Sequence, residues 1–439
     1  MNKPLTTTIK ELLLFASPIA IGQLSQMLIG AGDVIIASRH GRETVAAIGI
    51  ANSISAPVFL IGIGLLLGIS PILSKKRGEE SEVKHYLHTC TIYSLFISIV
   101  FISLTMATIP LVEYLGFEKN LIPHIKDYLF LVSFSYIGAY LFHAIKEYLQ
   151  AMEHVVFANS VSVFAIFANL GLNYVLVFGV MFFPELGVKG LAYATIIVRS
   201  LMGISLLIYA RRYSTADFKI IKNFAKHVFK FSLPISMSIF IEVLAFSIIM
   251  ILNGRLSSLY AAIHSISLTL ASTTYMIPLA VSSATSVKIG YFYGRRNFKK
   301  IHSYMKASMI ISMTFMALAG LSLYIFPDFI LSLFTKDQEL VILGGSILMV
   351  CAMFQIFDGA QVTLSGILRG VGITKPTFII VALGYWLIGL PLGYYLGYTL
   401  KLNTLGFWIG LAFSLLAISI SLFIYLRSIL HRIEQKLSN

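Results

Sequence analysis

Long, continuous apolar segments constrain this chain more than any other feature of its sequence. Cutting the 439 residues at polar positions and at Pro or Gly breaks leaves twelve apolar segments of about 20–30 residues. Each is long enough to cross a bilayer as a helix, and their continuity argues against a β-barrel. We therefore predict an all-α polytopic membrane protein with twelve transmembrane helices. The segments lie at 11–38, 46–73, 86–115, 122–151, 156–182, 187–211, 229–253, 260–292, 302–334, 339–370, 374–398 and 403–431.

The composition agrees with a membrane protein. Hydrophobic residues make up 57% and charged residues 12% of the chain, whereas about 25% of a soluble domain is charged. The first segment is too long for the core of a signal peptide, so we predict a retained helix. Cys90 and Cys351 both fall in apolar segments and indicate neither a disulfide framework nor a metal site.

Positive charge is distributed unevenly between the two sides of the predicted membrane. With twelve spans, the termini and alternate loops share one side, and that side holds most of the 33 lysines and arginines. The positive-inside rule then places both termini in the cytoplasm. The net charge of +14 is explained by topology and by anionic lipid, so we expect no nucleic-acid partner. The other side has only Arg39, Arg42, Lys119, Lys126, Lys189, Arg255, Lys336 and Lys401.

The second half of the chain repeats the pattern of the first. Pro18 in "FASPIAIGQLSQ" matches Pro234 in "FSLPISMSIFIE", and Gly190 in "GLAYAT" matches Gly406 in "GFWIGL", at nearly constant spacing. Six spans return the chain to its starting side, so the halves should be related by a pseudo-twofold axis along the membrane normal. We predict a six-helix lobe at 1–211, a cytoplasmic linker at 212–228 and a second six-helix lobe at 229–439.

Three carboxylates fall inside predicted spans. Asp33 lies in "QMLIGAGDVIIAS", Glu242 in "SIFIEVLAFSI" and Asp358 in "FQIFDGAQ". An ionised Asp at the centre of a membrane helix costs roughly 2.5–3.5 kcal/mol. Arg199 is the only cation far from a predicted interface, and it cannot neutralise three acids. At least two of the carboxylates must therefore face water, be protonated or bind a cation.

Polar side chains accompany these acids. Asn169 and Asn173 are four residues apart and share a helix face, and their amide oxygens can ligate Na+ or accept a hydrogen bond from a protonated acid. The alternative, in which the polar groups only form hydrogen bonds between helices, stays open. We predict cation sites, with Na+ as the candidate metal, at Asp33, Asn169, Asn173, Glu242 and Asp358. We predict a substrate cavity at Gln26, Asp33, Glu242, Asp358 and Gln361.

Three motifs resemble one transporter family. The stretches "FASPIAIGQLSQMLIGAGDVIIASRHG", "YMIPLAVSSATSVKIGYFYGRRNF" and "FQIFDGAQVTLSGILRGVGITKP" are similar to the multidrug and toxic compound extrusion (MATE) family, in its NorM branch. The similarity covers essentially the whole chain. Two positions depart from patterns in the family. Asn173 stands where the proton-coupled branch usually has Asp, and Phe354 stands where some relatives have a hydroxyl-bearing aromatic residue.

The resemblance implies a fold and a function. It implies two six-helix lobes in a V shape and export of organic, often cationic, compounds coupled to Na+ or H+. By the same resemblance, Asp33 with Asn169 and Asn173 forms an N-terminal cation site, and Glu242 and Asp358 are acids tied to Na+ coupling. We accordingly expect a monomer in a bacterial inner membrane, with small-molecule substrates, no catalytic residues, and no cofactor besides Na+ or H+ as the coupling ion.

Two other functions remain as alternatives. A flippase for lipid-linked precursors, from the same superfamily, would need cationic groups in its cavity to bind pyrophosphate, whereas the charges inside these spans are mainly acidic. A polytopic membrane enzyme would need clustered carboxylates for Mg2+ or a catalytic His. The three acids lie on separate spans, and the ten histidines form no recognisable catalytic pattern.

The topology can be tested by labelling. With both termini and the 212–228 linker in the cytoplasm, Lys219→Cys should react with a membrane-impermeant maleimide only after the cells are opened. The measurement is the labelled fraction in intact and in permeabilised cells. Complete labelling of intact cells would overturn the predicted orientation.

Overall fold

The computed structural model describes residues 4–180, 183–214 and 220–438. The secondary structure of these residues is helical and includes no strand. Short 3-10 turns occupy Lys84–Tyr86, Ile109–Tyr114 and Arg211–Tyr213. The α-helices are α1 (Leu5–His40), α2 (Arg42–Leu66), α3 (Ile69–Gly78), α4 (Leu87–Thr108), α5 (Leu121–Ala151), α6 (Val156–Phe178), α7 (Val188–Ala210), α8 (Lys222–Leu256), α9 (Ser258–Gly294), α10 (Phe298–Ile325), α11 (Pro327–Ser332), α12 (Gln338–Gly370), α13 (Lys375–Leu383), α14 (Leu390–Tyr394) and α15 (Asn403–Ser438).

The described residues contain twelve helical segments that are long and apolar enough to cross a membrane. They correspond in order to the twelve apolar segments of the sequence, which confirms the predicted all-α polytopic fold. Two of them are composite. The second consists of α2 and α3, and the eleventh consists of α13 and α14 with π-helical turns at Gly384–Gly389 and Tyr395–Thr399.

The ninth segment ends earlier than its hydrophobicity suggests. The sequence predicts one helix over 302–334, but α10 ends at Ile325 and the separate helix α11 begins at Pro327. Proline disfavours the helical conformation in the residue before it, and Phe326 has the non-helical angles φ −121° and ψ 43°. The prediction of a single helix here is therefore wrong in its last part.

The chain forms two compact units. The N-terminal unit is Ile21–Ser236, and the C-terminal unit consists of Met1–Ala20 and Met237–Asn439. Both boundaries fall inside a helix, two residues after Pro18 in α1 and two residues after Pro234 in α8. The units therefore differ from the lobes expected from the repeat. The start of α1, up to Ala20, belongs to the C-terminal unit, and the start of α8, up to Ser236, belongs to the N-terminal unit. Residues 215–219 of the predicted linker, with Lys219, lie outside the described residues.

One buried helix forms the centre of each unit. In the N-terminal unit α5 packs against α2, α3, α4 and α7, and its buried aromatic residues include Tyr136 and Tyr140. Gly138 allows direct backbone contact with α7, because a Cβ at this position would lie 2.5 Å from the carbonyl carbon of Arg199. In the C-terminal unit α12 has the corresponding position and packs against α9, α10 and α15. Both central helices come from fourth spans of the sequence repeat.

The close contact at Gly138 can be tested through stability. Gly138→Ala should lower the apparent melting temperature in detergent by several degrees, because overpacking typically costs about 1–3 kcal/mol. Gly30→Ala is the matched control, since nothing lies within 4 Å of a Cβ built at Gly30. That substitution should be neutral or stabilising, because Ala is favoured over Gly in a helix by about 1 kcal/mol. Equal melting temperatures for the two variants would contradict the close packing of α5 on α7.

Candidate functional site

The first buried carboxylate, Asp33, is held by two amides. Asp33 lies on α1 and is 8% exposed, while Asn169 and Asn173 lie on α6 and are fully buried. The Nδ2 of Asn173 donates a hydrogen bond of 2.6 Å to Oδ1 of Asp33 and another of 3.0 Å to Oδ1 of Asn169. The structure thus brings together the three residues that the sequence predicts as one cation site.

A small residue brings the two helices of this site together. A Cβ at Gly32 would lie 2.9 Å from Cδ2 of Leu170, so α1 and α6 are in contact one residue away from both Asp33 and Asn169. Asn169 and Asn173 are one helical turn apart and face the same side. Their amides therefore point at the carboxylate from a single helix.

Two amide atoms of the site form no hydrogen bond within the described residues. Asn173 Oδ1 and Asn169 Nδ2 are buried and have no hydrogen-bond partner among the described residues. This oxygen is suited to accept a hydrogen bond from a protonated Asp33 or to ligate a cation. Rotating the Asn173 amide would point this oxygen at Asp33, and O and N of an amide are assigned by their hydrogen bonds. The carboxylate and two amide oxygens are hard ligands that suit Na+. The site therefore fits either a proton or Na+.

Arg199 does not neutralise Asp33 directly. It lies on α7 of the same unit, and within the described residues it forms no ion pair with a carboxylate. Its electrostatic influence reaches Asp33, but no hydrogen bond joins the two side chains. The Asp33 carboxylate is thus hydrogen-bonded by an amide and forms no ion pair with a basic residue that the structure describes.

The acids of the C-terminal unit have tyrosine neighbours. Glu242 on α8 is partly buried, and its Oε1 accepts a hydrogen bond of 3.2 Å from the hydroxyl of Tyr385. Asp358 on α12 is 5% exposed and receives no hydrogen bond from the residues that the structure describes. The two carboxylates lie within electrostatic range of each other and of Tyr275. Glu242 and Asp358 are thus near enough to influence each other's charge, and their shared cation site stays a prediction.

The tyrosines were missed by sequence reasoning. Tyr385 belongs to the π-helical turn Gly384–Gly389, which interrupts regular helix geometry beside the acids. π-Helical turns often occur at functional sites. Phe354, the position that lacks a hydroxyl, is buried and packs edge-on against Trp408 and Phe246. A hydroxyl beside these acids therefore comes from Tyr385 in the eleventh span rather than from position 354. In the sequence, the sign of this role was a tyrosine within the Gly-rich stretch "LGYWLIGL".

The two predicted cavity glutamines lie in different units. Gln26, in the N-terminal unit, donates a hydrogen bond of 3.3 Å to Ser162 of α6. Gln361, in the C-terminal unit, is buried, and its Oε1 has no partner among the described residues. Each glutamine shares its unit with one of the two acid groups. The single substrate cavity expected from the sequence stays a prediction.

The described residues contain no group of three His, Cys, Asp or Glu side chains that could hold a metal ion. Each unit instead has carboxylates inside membrane-spanning helices, with amides or tyrosine hydroxyls as partners. Ionisable residues at such depth mark ion and substrate pathways. Fold and site together define a helical membrane transport protein.

Comparison with known proteins identifies the family within this class. A family model described as MatE matches residues 18–175 and 234–395, so the chain belongs to the MatE family. The chain is 29% identical over 432 residues to "Probable multidrug resistance protein NorM" of Photorhabdus laumondii, with 95% of each chain covered. It is 28% identical over 427 residues to "Multidrug resistance protein NorM" of Vibrio cholerae, with 94% of this chain and 93% of that protein covered. The predicted family and its NorM branch are thereby confirmed.

Solved structures share the fold. The eukaryotic MATE transporter AtDTX14 superposes with a TM-score of 0.86 at 19% identity, covering 96% of both chains. A MOP superfamily transporter from Pyrococcus furiosus superposes with a TM-score of 0.85 at 19% identity, covering 97% of both chains. At this identity the likeness establishes the fold alone. The relatives are named as transporters and multidrug resistance proteins, which agrees with the prediction that the chain is not an enzyme.

The hydrogen bond at Asp33 can be tested by a double-mutant cycle. Asn173→Leu removes the donor and leaves a buried carboxylate unpaired, which should cost about 1–3 kcal/mol or more. Adding Asp33→Asn should recover part of the lost stability, because the neutral amide needs no charge compensation. Apparent melting temperatures in detergent measure both effects, with the exposed Asn223→Leu as control. Strictly additive effects of the two substitutions would show that the side chains do not interact.

Proposed function

We propose that this chain is a multidrug efflux antiporter that exchanges Na+ or H+ for amphipathic, often cationic, organic compounds by alternating access. The observation that supports it best is a buried carboxylate in each unit that forms no ion pair with a Lys or Arg of the described residues. A positive charge that comes and goes would compensate these groups. The names of the NorM relatives provide the substrate class.

In the N-terminal unit the exchanged charge is a small cation. Asp33 and the oxygens of Asn169 and Asn173 offer three hard ligands within one helix pair. A proton on Asp33 would use the same Asn173 oxygen as acceptor. Either ion replaces the hydrogen bond that Asn173 donates, so binding rearranges the contact between α1 and α6.

In the C-terminal unit the acids favour a shared cation. Glu242 and Asp358 repel each other when both are ionised, and a bound cation relieves that repulsion. An organic cation and Na+ or H+ would then compete wherever their sites overlap. This competition provides the coupling, whose size cannot exceed the difference in ion affinity between the drug-bound and drug-free states.

The remaining features of the proposal concern the membrane. We propose a monomer in a bacterial inner membrane, with both termini in the cytoplasm, as the charge distribution favours. A flippase for lipid-linked pyrophosphates would need several cationic groups around one cavity. Asp33, Glu242 and Asp358 favour a cationic substrate instead. No cofactor is needed beyond the coupling ion.

Reconstituted protein tests the proposal. In proteoliposomes, an inwardly directed Na+ or H+ gradient should drive movement of a rhodamine methyl ester, a fluorescent lipophilic cation, against its own gradient. Imposing the Na+ and pH gradients separately identifies the ion. Dye movement that responds to neither gradient would overturn ion-coupled antiport.

Substitutions at the acids test where coupling resides. Asp33→Asn keeps size and hydrogen bonding, so we expect a folded protein that binds the dye but cannot export it. Asp358→Asn and Glu242→Gln should each weaken the Na+ or pH dependence of dye affinity, and the double change should be less than additive. Dye affinity is measured with and without Na+ at two pH values, and Asp328→Asn in α11 is the control. If the acid substitutions leave the ion dependence unchanged, the carboxylates have structural roles.

A further inference from the structure

Arg199 places a positive charge deep inside the N-terminal unit. It lies in the middle of α7 (Val188–Ala210), and the close contact of Gly138 with its backbone fixes α7 against α5. Ionisable residues at this depth in a membrane protein have a functional role by default. Neither the cation site nor the coupling described above uses this guanidinium.

The protein provides hydrogen-bond acceptors for only part of the Arg199 guanidinium. Arg199 Nη1 donates a hydrogen bond of 2.8 Å to Oγ of Ser135, whose own proton is donated to the carbonyl oxygen of Val132 at 2.6 Å. The guanidinium carbon lies 4.7 Å from the ring centre of Phe59, which is a cation–π contact. Ser135 is fully buried, so the side chain is held from one side by a fixed acceptor and an aromatic face.

Most of the hydrogen-bonding capacity of Arg199 is unused. A guanidinium has five N–H donors, and the bond to Ser135 is the only one Arg199 makes within the described residues. The side chain is also partly exposed, so the remaining donors are accessible. Carboxylates bind such a fork with two parallel hydrogen bonds. The unused donors therefore suit a carboxylate that the protein itself does not provide.

Asp33 is not the missing carboxylate, because neither a hydrogen bond nor an ion pair joins it to Arg199 in the part of the chain that the structure describes. His40 at the end of α1 contacts Glu185 just before α7, so these two helix ends lie on the same side. Asp33 is seven residues from its helix end and Arg199 is eleven residues from Val188. With a rise of about 1.5 Å per residue, the backbones of the two residues lie about 10 Å and about 17 Å from these ends along their helices. Asp33 takes its hydrogen bond from Asn173 instead.

We infer that Arg199, with Ser135 and Phe59, forms a subsite of the N-terminal unit that binds the carboxylate of an organic substrate. The inference rests on the proposed function and assigns recognition of one substrate group to these residues. The cationic group of a zwitterion is attracted by Asp33 and its carboxylate by Arg199. Phe59 is only partly buried, so the uncovered part of its ring can contact the apolar body of an amphipathic molecule.

A matched set of dyes tests this subsite. A rhodamine with a free benzoate is a zwitterion, its methyl ester is a cation of nearly the same shape, and its carboxamide has the size of the zwitterion without the negative charge. Fluorescence polarisation with purified protein in nanodiscs gives the affinity for each dye. Wild-type protein should bind the free benzoate at least about tenfold more tightly than the carboxamide, the value of one charge-assisted hydrogen bond. This comparison needs no variant.

Variants assign the preference to Arg199. Arg199→Met should lower the affinity for the benzoate dye about tenfold and change the affinity for the ester less than about twofold, while Arg199→Lys, which keeps the charge but loses the fork of donors, should retain only part of the preference. Ser135→Ala keeps the charge and should retain the preference for the benzoate over the carboxamide. Replacing chloride by methanesulfonate, a weakly binding anion without a carboxylate, should leave benzoate binding unchanged. A large change would show that Arg199 binds inorganic anions, which would overturn the carboxylate assignment.

The remaining outcomes separate this inference from the proposed function. Equal loss of both dyes in Arg199→Met, or no loss of either, would overturn the carboxylate subsite while leaving ion-driven transport of the ester intact. The same holds if wild-type protein binds the ester but not the free benzoate. Wild-type protein that neither binds nor transports any of the three dyes would overturn both the inference and the proposed function.

Discussion

A charge inside the hydrocarbon layer has no water to bind, and the arrangement of both units depends on this constraint. Each buried carboxylate needs a donor from the protein or a positive ligand. Asp33 receives its donor from Asn173, and Glu242 from Tyr385. Asp358 receives none from the described residues. The protein thus satisfies its acids to different degrees, and the least satisfied one lies on the central helix of its unit.

Close packing of the helices fixes the positions of the side chains that make these few polar contacts. Burial against lipid gives little preference for one helix neighbour over another, so association in membranes depends on close van der Waals contact between small residues. At Gly138 the backbones of α5 and α7 touch, and at Gly32 α1 approaches α6. These contacts fix the positions from which Arg199 and Asp33 extend. A methyl group at Gly138 would press on the backbone of Arg199 itself, whereas one at Gly32 would first meet the flexible end of the Leu170 side chain.

Much of this arrangement could be predicted from the sequence, because hydrophobicity and repeats report on membrane spans directly. Gly190 and Gly406, which the sequence repeat pairs, both lie against the backbone of a neighbouring helix. A Cβ at Gly190 would lie 2.6 Å from the carbonyl oxygen of Leu176, and one at Gly406 would lie 2.5 Å from the backbone nitrogen of Gly397. The spacing of the two asparagines placed them on one helix face, and the family resemblance alone placed them beside Asp33.

Other features depend on local geometry that hydrophobicity does not encode. Pro327 breaks the ninth segment, although the residues on both sides remain apolar. The unit boundaries fall just after Pro18 and Pro234, inside helices that the apolar pattern treats as uniform. Tyr385 reaches Glu242 from a π-helical turn, where the helical period used to assign faces no longer holds. The sequence was therefore least informative about which side chains donate hydrogen bonds to the buried acids.

In the proposed antiport, the hydrogen bond that stabilises Asp33 would also limit how tightly its site holds an ion. A cation bound by Asp33 and both asparagines needs the Asn173 oxygen, whereas the observed bond uses the Asn173 nitrogen. Ion binding therefore replaces a charge-assisted hydrogen bond, worth about 1.5–3 kcal/mol, and lowers the affinity by about ten- to a hundredfold relative to a preformed oxygen cage. When the ion leaves, Asp33 regains its hydrogen bond from the Asn173 amide. In the proposed antiport the charge of Asp33 is thus balanced by the ion in one state and stabilised by the amide in the other, so the ion can leave in each transport cycle.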